Sequence, residues 1–149
     1  MRLIGVCLLQ EQEKKGYHLF LEHCNSCHKE PLFFENKYEN NGLKVDTFLN
    51  DFGRWNITKV SRDSLKFKTP SLRNLSYTKP YMHDGRFNTL DEVINHYSEG
   101  LQDSPTIDPL MKKVSQGGVQ LSVEEKISLK AFLLTLTDFE FINNPDFRD

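Results

Sequence analysis

The sequence predicts an all-α chain, a few helices joined by long irregular loops. Three observations carry that reading. Two stretches bear the reciprocal capping signature of a helix start, Thr89 with Glu92 and Ser122 with Glu125, each followed by apolar residues at helical spacing. A third amphipathic stretch, residues 11–23, runs directly into Cys24-Asn25-Ser26-Cys27-His28. Between these, Pro, Gly and Asn recur too often for a sustained period, and no run makes a convincing strand.

Taken in order, Glu11 to His23 places Gly16, Leu19, Phe20 and His23 on one stripe, with Glu11, Glu13, Lys14 and Lys15 opposite. Residues 31–55 are broken by Asn36, Asn40, Asn41, Gly42 and Gly53 and are expected to form an extended loop. Pro70 and Pro80 impose an irregular path on residues 63–81. From Thr89, the residues Leu90, Val93, Ile94 and Tyr97 share one helical face, and Gly100 suits the stop. Residues 104–118 carry Pro105, Pro109, Gly117 and Gly118 and are expected to loop, with one turn around Leu110-Met111. The last helix starts at Ser122, and Ile127, Ala131, Phe132 and Leu134 are expected to give its buried side, up to Leu136.

The chain is the size of one domain. Residues 1–10 are expected to be a truncated or disordered N-terminal segment and residues 11–149 one domain. The first nine residues hold one Arg and an apolar run too short for a complete signal peptide. A lipoprotein-type role for Cys7 would need a longer leader, so the expectation is a chain that starts further upstream, or part of a longer protein. No stretch approaches the roughly 18–20 apolar residues of a membrane span. Net charge is −2 with both signs interspersed, so there is no footprint for nucleic acid. Eleven Phe and five Tyr offer flat apolar surface of the kind that wraps a planar cofactor.

Three cysteines argue against a disulfide framework. Two of them stand in Cys24-x-x-Cys27-His28, where two thiols and an imidazole issue from a single turn. That spacing suits covalent attachment of haem c through its two vinyl groups, with His28 as the proximal iron ligand. Its other ring nitrogen then needs a hydrogen-bond acceptor, usually a backbone carbonyl. A zinc site would need two more ligands and there is no second Cys-x-x-Cys; a thioredoxin-type pair would need a βαβ context. On the distal side Met82, His83, His96, Tyr97 and Met111 all lie downstream within range. On general grounds Met82 leads, because a turn-rich loop lets a thioether approach iron.

Two further stretches, Phe67-Lys68-Thr69-Pro70-Ser71-Leu72-Arg73-Asn74 and Thr78-Lys79-Pro80-Tyr81-Met82-His83-Asp84-Gly85-Arg86-Phe87, resemble the C-terminal haem domain of bacterial di-haem cytochrome c peroxidases, the methylamine-utilisation branch included. The last helix, from Leu121 to Thr137, fits the same domain, so the resemblance spans residues 11–138. It implies a c-type cytochrome fold wrapped around one haem. It also implies a distal ligand seventeen positions past Pro80, at Tyr97, where the methylamine-utilisation branch has a ligating tyrosine. Met82 becomes the alternative. A phenolate is a hard anionic donor that stabilises ferric iron and lowers the potential.

By the same resemblance Arg73 would meet a haem propionate. Thr78 and Pro80 would offer backbone carbonyls to calcium, together with an Asn of another domain that this chain lacks. Gly53-Arg54-Trp55 resembles a Gly-Arg-aromatic stretch of the family, with Trp55 either near the haem or structural. The resemblance implies a second haem domain as partner, carrying the peroxide-reducing haem, and a small redox protein as electron donor. No catalytic residue is expected in this chain. The alternative is a stand-alone mono-haem electron carrier without enzymatic activity. Haem attachment of this type takes place outside the cytoplasm, so the expected location is periplasmic.

Overall fold

The computed structural model describes residues 9–111 and 113–147. It is helical with long loops: α1 (Glu11–His23), α2 (Trp55–Thr58), α3 (Leu90–Glu99), α4 (Val123–Thr135) and α5 (Phe139–Ile142), plus short 3-10 turns. The expected all-α class is correct, with one addition. Two-residue strands β1 (Tyr38–Glu39) and β2 (Phe67–Lys68) pair antiparallel, Tyr38 opposite Lys68 and Glu39 opposite Phe67. A pair this short has no alternation to read, which is why the sequence carries no trace of it.

The three long helices start where their caps say. The Thr89 and Ser122 hydroxyls accept from the backbone N–H of Glu92 and Glu125. Each glutamate accepts in return from the cap's own N–H, at 2.8 and 2.7 Å. At α1, Glu13 accepts from the Gln10 N–H at 2.7 Å. Gly100 ends α3 as expected.

The core forms where α1 crosses α4. Gly16 is the contact point: a Cβ there would lie 2.0 Å from the Ser128 carbonyl oxygen and 2.8 Å from Phe132 Cβ. The close approach lets Phe20 pack on Phe132 and Phe33, with ring centroids 5.3 and 5.5 Å away. Leu9, Leu75, Leu90, Ile94, Leu129, Leu133 and Leu136 complete the cluster. The other residues of the segment 1–10, Cys7 among them, lie outside the described residues, apart from Gln10.

The buried face of α4 differs from expectation. Phe132 is buried, but Ile127 and Leu134 are 51% and 42% exposed, and Ser128, Leu129 and Leu133 take the inward positions. The second half of α4 is apolar nearly all round, so its period does not choose a face. The close contact with Gly16 chooses it, by bringing Ser128 and Phe132 against α1.

Candidate haem site

The attachment motif is the C-terminal end of α1. Cys24 N–H donates to Phe20 O, and the N–H groups of Cys27 and His28 both donate to Cys24 O, at 3.1 and 3.0 Å. One tight turn therefore carries both thiols and the imidazole. All three side chains are half-buried, and no disulfide joins the two cysteines. Burial pushes the Cys27 thiol up from its ordinary value.

His28 is held from behind. Its Nδ1 lies 3.1 Å from Pro70 O and 3.3 Å from Phe33 O. Carbonyl oxygens can only accept, so Nδ1 carries the proton and Nε2 keeps its lone pair. Burial pushes the ring below its usual value, against the two carbonyls that favour the cation, and this favours the neutral, metal-binding form. The clamp is itself fixed. Ser71 Oγ donates to Leu32 O at 2.7 Å, and Leu72 N–H donates to Phe33 O. The stretch 67–74 thus positions the His28 ring.

Tyr97, from the last turn of α3, lies close enough to Cys24 and Cys27 to feel their charge. Its side chain is packed about by protein yet keeps part of its surface open. Burial pushes its phenol up to about 12; negative charge at Cys24 and Cys27 acts in the same direction, while a hydrogen bond from Asn41 opposes it. Asn41 Nδ2 donates to the Tyr97 hydroxyl oxygen at 3.3 Å and approaches Met82 Sδ at 3.6 Å. The two distal candidates therefore meet at one amide. Of the other candidates, His96 Nε2 is engaged with Asn41 O at 3.1 Å, and His83 is stacked on Phe67 at 3.6 Å. Met111 N–H donates to Asp108 O, in the turn around residue 110.

Two loops fix this wall. Val119 N–H donates to Tyr97 O and Gln120 N–H to Ser98 O, which satisfies the free carbonyls at the end of α3. That approach needs Gly118, where a Cβ would lie 2.3 Å from Tyr97 O. Asn40, 2% exposed, donates to Ser104 Oγ and Thr106 Oγ1 and accepts from Gly42 N–H. Asp108 N–H donates to Asn40 O, and Gln102 N–H to Gly42 O. Asn40 and Asn41 were legible only as chain breakers; nothing in an Asn-Asn-Gly run marks one amide as structural and the next as facing Tyr97.

The remaining expected positions lie further out. Arg73 pairs with Asp138 at 2.9 Å, beyond the end of α4. Thr78 and Pro80 flank a cis Lys79–Pro80 bond, and Thr78 Oγ1 donates to Leu75 O. Trp55 is half-buried, edge-on to Phe52 with Lys59 Nζ 4.4 Å over its ring. Among the described residues no group of three or more His, Cys, Asp or Glu is placed to hold a metal ion, so no ligand set of the zinc kind forms around the motif.

No protein-family model matches the chain. It is 34% identical over 157 residues to the cytochrome-c peroxidase IdrP2 of Pseudomonas sp. strain SCT, covering 87% of this chain and 40% of that protein. It is 36% identical over 127 residues to the methylamine utilization protein MauG of Methylorubrum extorquens, covering 83% of this chain and 34% of that protein. Among solved structures it superposes with a TM-score of 0.76 and 34% identity on a MauG-like protein associated with microbial copper homeostasis, over 95% of this chain and 48% of that one. The chain belongs to the bacterial di-haem cytochrome c peroxidase family. It spans less than half the length of the curated relatives it matches. The cofactor of di-haem cytochrome c peroxidases is haem c. The donor set fits it: two thiols and a carbonyl-clamped imidazole on one turn, with a packed phenol within electrostatic reach of the thiols.

Proposed function

We propose that this chain is the electron-transferring haem domain of a peroxidase of the di-haem family, C-terminal in its parent protein and working in the periplasm. The observation that carries the reading is the proximal clamp, an imidazole with Nδ1 on two backbone carbonyls directly after the second thiol. Cys24 and Cys27 would hold haem c covalently, His28 Nε2 and the Tyr97 oxygen would ligate its iron, and Met82 is the competing distal donor. When bound, haem c supplies a centre that takes up and releases one electron. The chain's own residues tune that centre. The carbonyls strengthen His28 as a donor, burial excludes water, and an anionic phenolate holds the potential below that of a Met-ligated haem.

Arg73 is the propionate contact in this reading, and the Thr78 and Pro80 carbonyls contribute to a calcium site completed by the second haem domain. In this reading the domain would relay electrons from a small redox protein to a peroxide-reducing haem on that second domain. With His28 and Tyr97 both holding the iron, this chain alone would offer peroxide no open position. Produced with a haem-maturation system, it should carry one haem per chain by pyridine haemochrome assay, and peroxide should oxidise a reduced donor only slowly. Absence of covalent haem would overturn the reading, as would rapid turnover by the chain alone. For the distal ligand, Tyr97→Phe should abolish the phenolate-to-iron charge-transfer band while Met82→Leu leaves it. A parent spectrum without that band, perturbed by Met82→Leu and unmoved by Tyr97→Phe, would assign the iron to Met82.

A further inference from the structure

The Asn41 side chain reaches both distal candidates. Its backbone is pinned on each side. Asn40 O accepts from Asp108 N–H and Gly42 O from Gln102 N–H, so residue 41 cannot slide along the wall. Its carbonyl accepts from His96 Nε2, and its amide donates to Tyr97, the next residue of α3. One residue therefore grips two consecutive side chains of the helix. The second amide hydrogen is turned to Met82 Sδ, 3.6 Å away. A primary amide has two N–H donors, and both are spent on the two groups that compete for the same iron position.

We propose that Asn41 is a positioning residue for the distal ligand: its amide fixes the Tyr97 oxygen as the donor to iron and keeps the Met82 sulfur off it. This rests on the haem reading above and deepens it. The chemistry is asymmetric. A hydrogen bond to an anionic oxygen is far stronger than one to a neutral thioether, so the amide stabilises Tyr97 as phenolate more than it engages Met82. Donation to a ligating phenolate also withdraws charge from it. With haem bound, that donation would weaken the bond from the Tyr97 oxygen to iron slightly, move the charge-transfer transition to higher energy and raise the potential relative to a phenolate without that partner.

The test uses the haem-loaded chain and two substitutions at residue 41. Asn41→Leu keeps the branching and removes both donors; the His96 contact uses the backbone carbonyl and is retained. Asn41→Asp keeps the shape and faces the phenolate with a carboxylate. In Asn41→Leu the phenolate-to-iron band should move to longer wavelength and the midpoint potential should fall. In Asn41→Asp the band should be lost, with a potential shifted upward toward that of a Met-ligated haem. Adding Met82→Leu to Asn41→Asp should prevent that upward shift. Unchanged band position and potential in both variants would overturn the proposal while leaving Tyr97 as ligand. If Tyr97→Phe alone leaves the spectrum unaltered, the ligand assignment itself fails, and the role of Asn41 with it. Circular dichroism of each variant separates loss of fold, which would move the far-ultraviolet spectrum, from loss of positioning, which would not.

Discussion

On the proximal side of the candidate haem cleft, Cys24, Cys27 and His28 come from five consecutive residues at the end of one helix. The distal side draws Asn41, Met82 and Tyr97 from two loops and another helix, joined through side-chain amides and loop backbone. The first wall is local, and the helix that carries it is anchored in the core through Gly16 and Phe20. The second is assembled by hydrogen bonds between segments some sixty residues apart, such as Asn40 to Thr106. A local wall tolerates distant changes because its geometry is written in one turn. An assembled wall can be retuned by changing any of its contributors, and ligand identity is such a property.

The comparison breaks first, and most completely, at the thiols. Cys24→Ala/Cys27→Ala should carry no haem after denaturing electrophoresis with haem staining, whereas Tyr97→Phe should carry as much as the parent chain. Loss of covalent haem in Tyr97→Phe would show that attachment depends on the distal wall too. The next largest effect is Gly16→Ala. The added Cβ meets backbone at Ser128, not a flexible side-chain end, so α1 must move off α4 at a cost of about 1–3 kcal/mol. For a chain of this size that lowers the melting temperature by several degrees. Charge-transfer spectra of the folded variant should remain those of the parent. An unchanged melting temperature would mean that the two helices have room to part.

How much of this was legible follows the same division. α1, α3 and α4 could be read because their signals are local: Thr89 with Glu92, Ser122 with Glu125, and a stripe ending at Cys24. The Cys24-x-x-Cys27-His28 turn was legible as a motif for the same reason. The exposed positions of Ile127 and Leu134 were not, because an apolar helix is oriented by its partner, here through Gly16. The clamp on His28 was foreseen as a carbonyl, but which ones could not be: Phe33 and Pro70 are brought there by Ser71 and Leu72 latching onto residues 32 and 33. Tyr97 was reached only through the spacing from Pro80 in the resembling family. Asn41 was reached only as a chain breaker, since it makes its contacts across 41 and 56 residues of chain.

A smaller loss is expected from Asn40→Ala. It strands the Gly42 N–H and removes a partner from Ser104 and Thr106, and a buried group left unsatisfied costs about 1–3 kcal/mol. Thr106 still donates to Ser64 O, which keeps the effect from growing further. Because Asn40 anchors the segment carrying Asn41, this variant should lose stability and shift the charge-transfer band together. Gly16→Ala should lose stability alone. A stability loss with an unmoved band would separate the fold of this loop from ligand positioning.

The smallest effect concerns pH. Burial first, and then the neighbouring Asp108 carboxyl, push Glu39 from its ordinary 4.5 up to about 7. The folded chain therefore keeps a proton that the unfolded chain releases at lower pH. The stability tied to that proton is complete below the ordinary carboxylate range and is lost as pH rises through about 7. Asp108 donates its backbone N–H to Asn40, so the raised Glu39 carboxyl sits against the strut of the distal wall. Glu39→Gln keeps a hydrogen-bonding group without the ionisation. Its melting temperature should fall less than the parent's between about pH 5 and pH 8, the window set by the raised carboxyl. Parallel pH profiles for the two proteins would place the ionised carboxylate without penalty in the folded chain. A flatter profile for the variant would make the distal wall the pH-sensitive half of the cleft. The His28 side, where burial holds the ring neutral, would change only toward acid.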